Sequence, residues 1–353
     1  MSHGYQAVLW NKNKRNYDIA VGLGIIAYIG TFFAVSAMTW AGPNAMSPEI
    51  LLIQAFGSCA FIMLTIILSI GPLARISTLF NPLLYNRRHF GVMFFIVSMV
   101  HVVVATAWYH GFGIVNPLVS ILSMNSEYDR IAQFPFESLG FVALLILFVM
   151  AATSHDFWLA NLKPGVWKAM HMAVYLAYGL LVLHVVLGAL QGDRSSFYTY
   201  LVFGSTIWLA GLHIFTGVRE AAKEGGGALG KRDGAQWMAV AAVSDIPEDR
   251  ARIIPLKDGE RIAVFKYDGK ISAVSNVCAH QNGPLGEGKI VDGCITCPWH
   301  GYQYHPDNGQ SPPPFTEKIP TYKVKVEGEH VFVDPTPLPP GTPVAPAAIT
   351  GSA

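Results

Sequence analysis

Charged residues are scarce in this sequence. Asp, Glu, Lys and Arg make up 13% of its 353 residues, against about 25% in ordinary soluble domains. Hydrophobic residues make up 52%, so we expect part of the chain to lie in lipid. The formal net charge is only +1, which gives no electrostatic argument for nucleic-acid binding.

Cysteine is also rare, and a nucleotide-binding motif is missing. The chain has only four cysteines, and two of them are candidate metal ligands, so no disulfide framework is expected. No G-x-G-x-x-G sequence follows an expected strand. A nicotinamide or flavin domain is therefore not expected in these residues, and electrons would have to come from another protein.

Long apolar runs dominate the first part of the chain. Six of them approach the roughly 20 residues that cross a bilayer, and they are Tyr17–Trp40, Ile50–Ile70, Phe90–Tyr109, Glu137–Thr153, Trp167–Leu190 and Tyr198–Gly217. Buried helices of a soluble enzyme would be neither so long nor so numerous. Lys and Arg concentrate before the first run, between alternate runs and after the sixth. The positive-inside rule then predicts that both termini face the cytoplasm.

Two short motifs near the C-terminus carry the strongest chemical signal. They are Cys278-x-His280 and Cys297-x-x-His300. Two thiolates and two imidazoles in matched pairs suit a [2Fe–2S] cluster with one Cys-ligated and one His-ligated iron. A Cys₂His₂ zinc site uses the same donors, although zinc fingers usually pair Cys with Cys and His with His. We interpret Cys294 and Cys59 as packing residues.

The segment CAHQNGPLGEGKIVDGCITCPWHGYQYHPDNG resembles the Rieske family. The resemblance covers Gln236 to Asp334 and implies an all-β domain, with both Cys ligands on the buried iron and both His ligands on the outer one. Tyr302 stands where respiratory-chain members have a serine, and the extra disulfide cysteines of those members are missing. Fewer hydrogen bonds to the cluster sulfurs imply a low potential, as in the ferredoxin-type branch.

Histidines inside the apolar runs are a second candidate site, since an ionisable group in lipid is costly and usually functional. His101 lies in the third run, and His171 and His184 lie near opposite ends of the fifth. A b-type haem with two imidazole ligands takes one His from each of two facing helices. The alternative for each His is a hydrogen bond to a neighbouring helix.

A second resemblance rests on the spacing of these histidines and of the residues before them. The pattern is Arg87-Arg88-x-x-Gly, His101, Trp167-Lys168-x-x-His171 and His184. It resembles the ferric reductase-like transmembrane family over residues 17–218. The resemblance implies a b-type haem bound by His101 and His184. A second haem would need His171 and a partner, for which the candidates are His89, His155 and His213.

The sequence thus predicts a multi-domain protein, a polytopic α-helical membrane bundle of about six spans followed by an all-β Rieske domain. The expected segments are a cytoplasmic N-terminus at 1–16, the haem bundle at 17–218, a flexible linker at 219–235, the Rieske domain at 236–334 and a disordered tail at 335–353. Two hairpins are expected, Ile262–Tyr267 with Ile271–Val274 and Tyr322–Val326 with His330–Val333.

The predicted function is transmembrane electron transfer. A cytoplasmic donor, which would be a ferredoxin, a flavodoxin or a flavin reductase, would reduce one [2Fe–2S] cluster. The cluster would reduce one or two b-type haems, and the electron would leave for an outer-face oxidoreductase or quinone. The expected location is a bacterial cytoplasmic membrane, with the Rieske domain inside the cell. A terminal reductase of Fe(III) or O₂ at the outer haem and a non-catalytic redox sensor are the alternatives.

Overall fold

A computed structural model describes residues 12–39, 46–123, 131, 134–154, 158, 164–192, 196–226, 232–233, 237–256, 260–279, 283–298, 301–313 and 315–349. The chain divides into two compact units. The first consists of Met1–Leu73 and Asn86–His213, and the second of Ala74–Tyr85 and Ile214–Ala353. The first unit contains helices, and the second contains every described strand.

The helical region consists of nine α-helices within the described ranges. They are α1 (Lys12–Thr39), α2 (Pro48–Ile76), α3 (Asn81–His110), α4 (Pro117–Ser123), α5 (Phe136–Ala152), α6 (Pro164–Met172), α7 (Val174–Leu187), α8 (Ala189–Gly192) and α9 (Ser196–Gly226). Five helical segments of the described chain are long and apolar enough to cross a membrane, and α5, with 17 residues, is shorter. This confirms a polytopic membrane bundle, with about six spans as an approximate count.

The helices pack through large apolar side chains that point inward. Phe61 of α2, Phe94 of α3, Leu147 of α5 and Tyr178 of α7 belong to one buried cluster. Cys59 of α2 lies in the same cluster and is 4% exposed, so the interpretation as a packing residue is confirmed. Apolar side chains on the opposite helix faces are exposed, as expected for a surface that meets lipid.

The expected flexible linker begins later than predicted. Helix α9 continues without interruption to Gly226, so the prediction is wrong for residues 219–226. Ala221 and Ala222 are strong helix formers, and a helix that has already formed extends at little cost. Arg232–Asp233 forms a short strand rather than linker, and 227–231 lie outside the described residues.

The β domain consists of twelve described strands. They are β1 (Arg232–Asp233), β2 (Trp237–Ala242), β3 (Arg250–Pro255), β4 (Arg261–Tyr267), β5 (Lys270–Ser275), β6 (Lys289–Val291), β7 (Cys294–Thr296), β8 (Gln303–Tyr304), β9 (Thr321–Tyr322), β10 (Val324–Glu327), β11 (His330–Val333) and β12 (Ala347–Ala348). They form three sheets, in the orders β1-β2-β11-β10, β12-β5-β4-β3 with β9 also on β5, and β6-β7-β8.

Both expected hairpins are present. Strands β4 and β5 pair in antiparallel register, Ile262 opposite Ser275 and Tyr267 opposite Lys270. Their two-residue turn has φ of 46° at Asp268 and 69° at Gly269, the pair of positive angles that a type I′ turn requires. The second hairpin joins β10 and β11, but Tyr322 lies in β9 and pairs with β5 instead.

The C-terminal segment is ordered, contrary to the expected disordered tail. Strand β12 pairs with β5, and the amides of Leu338 and Gly341 donate to the carbonyls of Thr321 and Ile319. The prediction is therefore wrong for 335–349, while 350–353 lie outside the described residues. A Pro- and Ala-rich segment has too few large apolar residues to form a hydrophobic core by itself. This segment is ordered because its backbone forms hydrogen bonds to the sheet that contains β5.

Candidate functional site

The two cysteine loops of the β domain are built in the same way. The amide of Cys278 donates to the carbonyl of Gly283 over 2.9 Å, and that of Cys297 donates to the carbonyl of Tyr302 over 2.8 Å. In each loop the amide of the cysteine thus donates to the carbonyl of the residue five positions ahead. The first loop leaves β5 and the second joins β7 to β8. Two connections between strands therefore present one cysteine each.

Both cysteines are suited to ligate a metal cluster. Cys278 and Cys297 are fully buried and lie in one hydrophobic cluster. Burial in an apolar cluster shields a [2Fe–2S] centre and tunes its potential. His280 and His300, the other two predicted ligands, lie outside the described residues. The two sequence positions fall within the loops that the cysteine hydrogen bonds close, so the donor set of the Rieske motif fits this end of the domain.

Two tyrosines beside the cysteines have different partners. The hydroxyl of Tyr304 lies 3.4 Å from the Sγ atom of Cys278, within hydrogen-bonding distance. Tyr302 instead donates its hydroxyl hydrogen to the carboxylate of Glu317. Burial, together with this bond to Glu317, raises the pKa of Tyr302 above its usual range, so the phenol stays protonated. Tyr304 is the one placed to stabilise a ligand sulfur.

Cys294 lies in a setting unlike that of the two predicted ligands. It is buried in β7, upstream of the second loop, and its Sγ atom is 3.7 Å from Nδ1 of His305. Burial raises the pKa of the Cys294 thiol, which disfavours the thiolate that a metal needs. The interpretation of Cys294 as a buried thiol on the strand that enters the loop is confirmed.

His101 and His184 are held by backbone carbonyls of other helices. Nδ1 of His101, in α3, lies 2.9 Å from the carbonyl oxygen of Ile53 in α2. Nδ1 of His184, in α7, lies 2.9 Å from the carbonyl oxygen of Phe136 in α5. Because a carbonyl only accepts, Nδ1 carries the proton and donates it in both rings. In a neutral imidazole Nε2 then has the free lone pair that an iron ligand needs.

The candidates for a second haem have different surroundings. Nε2 of His171 lies 3.5 Å from the hydroxyl of Ser154. Nδ1 of His213 bonds to the carbonyl of Leu209, and Nε2 lies 3.1 Å from the hydroxyl of Tyr175, so both ring nitrogens are engaged. Nδ1 of His89 lies 3.0 Å from Oδ1 of Asp18, and His155 lies outside the described residues.

Sequence reasoning identified the histidines but missed what holds them. The partners of both rings are main-chain carbonyls, so no side chain at those positions signals the contact. Two glycines that face the rings were missed as well. Gly57 and Gly140 each come four residues after the residue whose carbonyl accepts the hydrogen bond from a ring. A comparison of the two halves of the helical region would have revealed this shared spacing.

Two family models match the chain. The ferric reductase-like transmembrane component matches residues 55–182, and the Rieske [2Fe-2S] domain matches residues 236–323. The order along the chain is the one that the sequence predicts. The first match spans the helices that carry His101 and most of α7, and the second spans both cysteine loops.

Known proteins resemble the β domain. The ferredoxin component of the naphthalene 1,2-dioxygenase system of Pseudomonas aeruginosa is 30% identical over 100 residues, which are 28% of this chain and 95% of that protein. The ferredoxin component of the alkene monooxygenase system of Xanthobacter autotrophicus is 29% identical over 110 residues, 31% of this chain and 89% of that protein. The 3-phenylpropionate/cinnamic acid dioxygenase ferredoxin subunit of Shigella boydii is 32% identical over 94 residues, 26% of this chain and 87% of that protein.

Proposed function

Since this chain belongs to the Rieske [2Fe–2S] family through its β domain and has a ferric reductase-like transmembrane region, we propose that it carries electrons across a membrane from a cluster to a haem. Both domains support electron transfer as the general function. The finer path runs from a cytoplasmic donor to the [2Fe–2S] cluster, then to b-type haem among the helices, and out to an acceptor on the other face.

The observation that carries the proposal is that one chain holds two unlike sets of candidate iron ligands. Cys278 and Cys297 are buried and lie in loops with matching backbone hydrogen bonds, and the two histidines of the motif would complete a Rieske donor set. His101 and His184 keep Nε2 available on separate helices, which is the arrangement for two axial imidazoles. When bound, cluster and haem each exchange one electron, and the protein tunes their potentials.

Among the described histidines, His101 and His184 support a haem better than His171 and His213 do. His213 has both ring nitrogens hydrogen-bonded, and His89 is paired with Asp18. A second axial pair of His171 with His213 would break one of the contacts of His213, whereas the contact of His89 with Asp18 uses only Nδ1. The hydroxyl of Ser154 beside His171 gives that ring a structural partner. We assign the haem to His101 and His184.

The sidedness follows from basic residues at the predicted cytoplasmic ends of the spans. Arg15 begins the first candidate span, Arg75 lies at the end of α2 and Arg219 ends the last span. An excess of Lys and Arg marks the cytoplasmic side, so the β domain that follows α9 would face the cytoplasm. The proposed location is the cytoplasmic membrane of a bacterium. A ferredoxin, a flavodoxin or a flavin reductase would then be the donor, and an outer-face oxidoreductase or quinone would be the acceptor.

Rapid mixing of the full-length protein in proteoliposomes tests the path. A reduced ferredoxin is added anaerobically, cluster reduction is followed by EPR, and haem reduction by the α-band absorbance. In the natural protein we expect the haem to be reduced after the cluster. In C297A the ferredoxin should no longer reduce the haem, although dithionite still does. Equal haem reduction in both proteins would show that the cluster is not on the path.

Adding an acceptor to the reduced protein then separates the possible end uses. Reoxidation of the haem by a soluble quinone supports a relay, and fast reoxidation by Fe(III) chelates or O₂ supports a terminal reductase. If none of these acceptors reoxidises the haem while the oxidation state of the cluster still follows the ambient potential, the result would favour a sensor.

A further inference from the structure

A three-part arrangement occurs twice in the helical region. In the first copy the carbonyl of Ile53 accepts from His101 across 48 positions of the chain, and in the second the carbonyl of Phe136 accepts from His184 across the same 48 positions. Both bonds measure 2.9 Å. In each copy a glycine follows the carbonyl residue by one helical turn.

Each of these glycines lies directly against the imidazole of its copy. A Cβ atom on Gly57 would lie 2.9 Å from both Nδ1 and Cε1 of His101. A Cβ atom on Gly140 would lie 2.8 Å from Nδ1 and 2.9 Å from Cε1 of His184. These distances are well inside van der Waals contact, so any side chain at either position would have to displace the ring.

We propose that Gly57 and Gly140 are positioning residues for the two axial imidazoles, a role that rests on the proposed haem function. The bare backbone lets each ring approach until Nδ1 reaches the carbonyl of the preceding turn. That bond fixes the tautomer and the ring plane, and so directs Nε2. A methyl group would push the ring away from the carbonyl and change the direction of the lone pair offered to iron.

Two glycines on the helices that carry the histidines do not share this feature and provide controls. A Cβ atom on Gly91 of α3, the helix of His101, meets nothing within 4 Å. The same holds for Gly179 of α7, the helix of His184. Ala at these two positions adds helix propensity without touching a ring. The four variants therefore differ in whether the new methyl group meets a histidine.

The test compares G57A and G140A with G91A and G179A in full-length protein purified from membranes. Haem per protein is counted by pyridine haemochrome, and the low-spin haem signal is recorded by EPR. Loss of a partner that orients a metal-bound His lowers affinity about 10- to 100-fold, so we expect G57A and G140A to lose haem or to shift the EPR signal. G91A and G179A should match the natural protein. Natural haem content and an unchanged EPR signal in G57A and G140A would overturn the proposal.

A further variant separates a local clash from misfolding. If G57A fails to accumulate in membranes, the double variant G57A/H101A removes the ring that the methyl group meets. Recovered accumulation would support the proposed contact, and no recovery would overturn it. Natural protein that holds its cluster but no haem would instead defeat the proposed function, and this role of the glycines with it.

Discussion

The β domain and the helical region each hold a pair of candidate iron ligands, but they hold them by different means. Cys278 and Cys297 are fixed by backbone hydrogen bonds that span five residues. His101 and His184 are fixed by carbonyls 48 residues away. The cysteine loops are thus local structures, while each histidine depends on the packing of two helices. This difference predicts which substitutions act on one centre alone and which disturb packing as well.

The largest expected effect is loss of the cluster on removal of a loop cysteine. C278A or C297A removes one of the two predicted thiolate ligands, so the [2Fe–2S] EPR signal and the acid-labile sulfide should disappear. C294A is the matched control, because Cys294 is buried three residues before Cys297 but faces His305. It should keep full iron. Loss of the cluster in C294A, or zinc in place of iron in the natural protein, would contradict the ligand assignment.

The next largest expected effect is loss of haem when His101 or His184 is removed. H101A and H184A should each abolish the reduced b-type absorbance, because one axial imidazole cannot hold the haem in low-spin, bis-imidazole form. H171A and H213A should keep it, since those rings bond to Ser154 and Tyr175. Full haem content in both H101A and H184A would refute the pair, and a halved content in H171A would indicate two haems.

The cluster signal provides a check on whether the two regions are independent. Since the cysteine loops are closed locally, H101A and H184A should leave the [2Fe–2S] EPR signal at its natural intensity. A cluster lost together with the haem would show that the loops depend on the helical region for their folding.

A smaller effect is expected from the hydroxyl group beside the cluster. Y304F removes the group that lies 3.4 Å from Sγ of Cys278. A hydrogen bond to a ligand sulfur stabilises the more negative, reduced cluster. If it is stronger in that state by about 1.4 kcal/mol, its loss lowers the midpoint potential by about 60 mV. Y302F should shift the potential less, because that hydroxyl faces Glu317. Redox titration followed by EPR measures both, and an unchanged potential in Y304F would show that this contact does not tune the cluster.

The same division between local and distant contacts explains how much could be predicted. The hairpin at Asp268-Gly269 was predictable because two adjacent residues determine the turn, and the alternation of apolar residues determines the strands. The membrane bundle followed from the length of apolar runs alone. The site residues His280 and His300 came from motif spacing, and they remain predictions because they lie outside the described residues.

What the sequence did not reveal depends on neighbours far along the chain. Residues 335–349 are ordered because they pair with the edge of β5 and bond to carbonyls of residues 319–321. The sequence of the tail does not indicate any of these partners. The carbonyls that hold His101 and His184 are invisible to residue-type patterns, because every residue has one. In the sequence, Gly57 and Gly140 do not differ from other glycines of membrane helices, and only the structure shows the histidine rings beside them.

The smallest expected effect is that of replacing Gly269, which is required for its backbone conformation, whereas Gly57 is required for the space beside a ring. Gly269 has φ of 69° and open space around a new Cβ atom, so G269A adds backbone strain without a clash. The left-handed conformation costs a non-glycine residue about 1 kcal/mol, which lowers the melting temperature of a domain of this size by roughly 4–8 °C. The cluster spectrum should not change, since the turn lies outside both cysteine loops. G57A should show the converse, an altered haem without left-handed strain. Calorimetry and EPR on both variants check this, and a cluster signal altered in G269A would mean that the loops are less locally determined than their hydrogen bonds indicate.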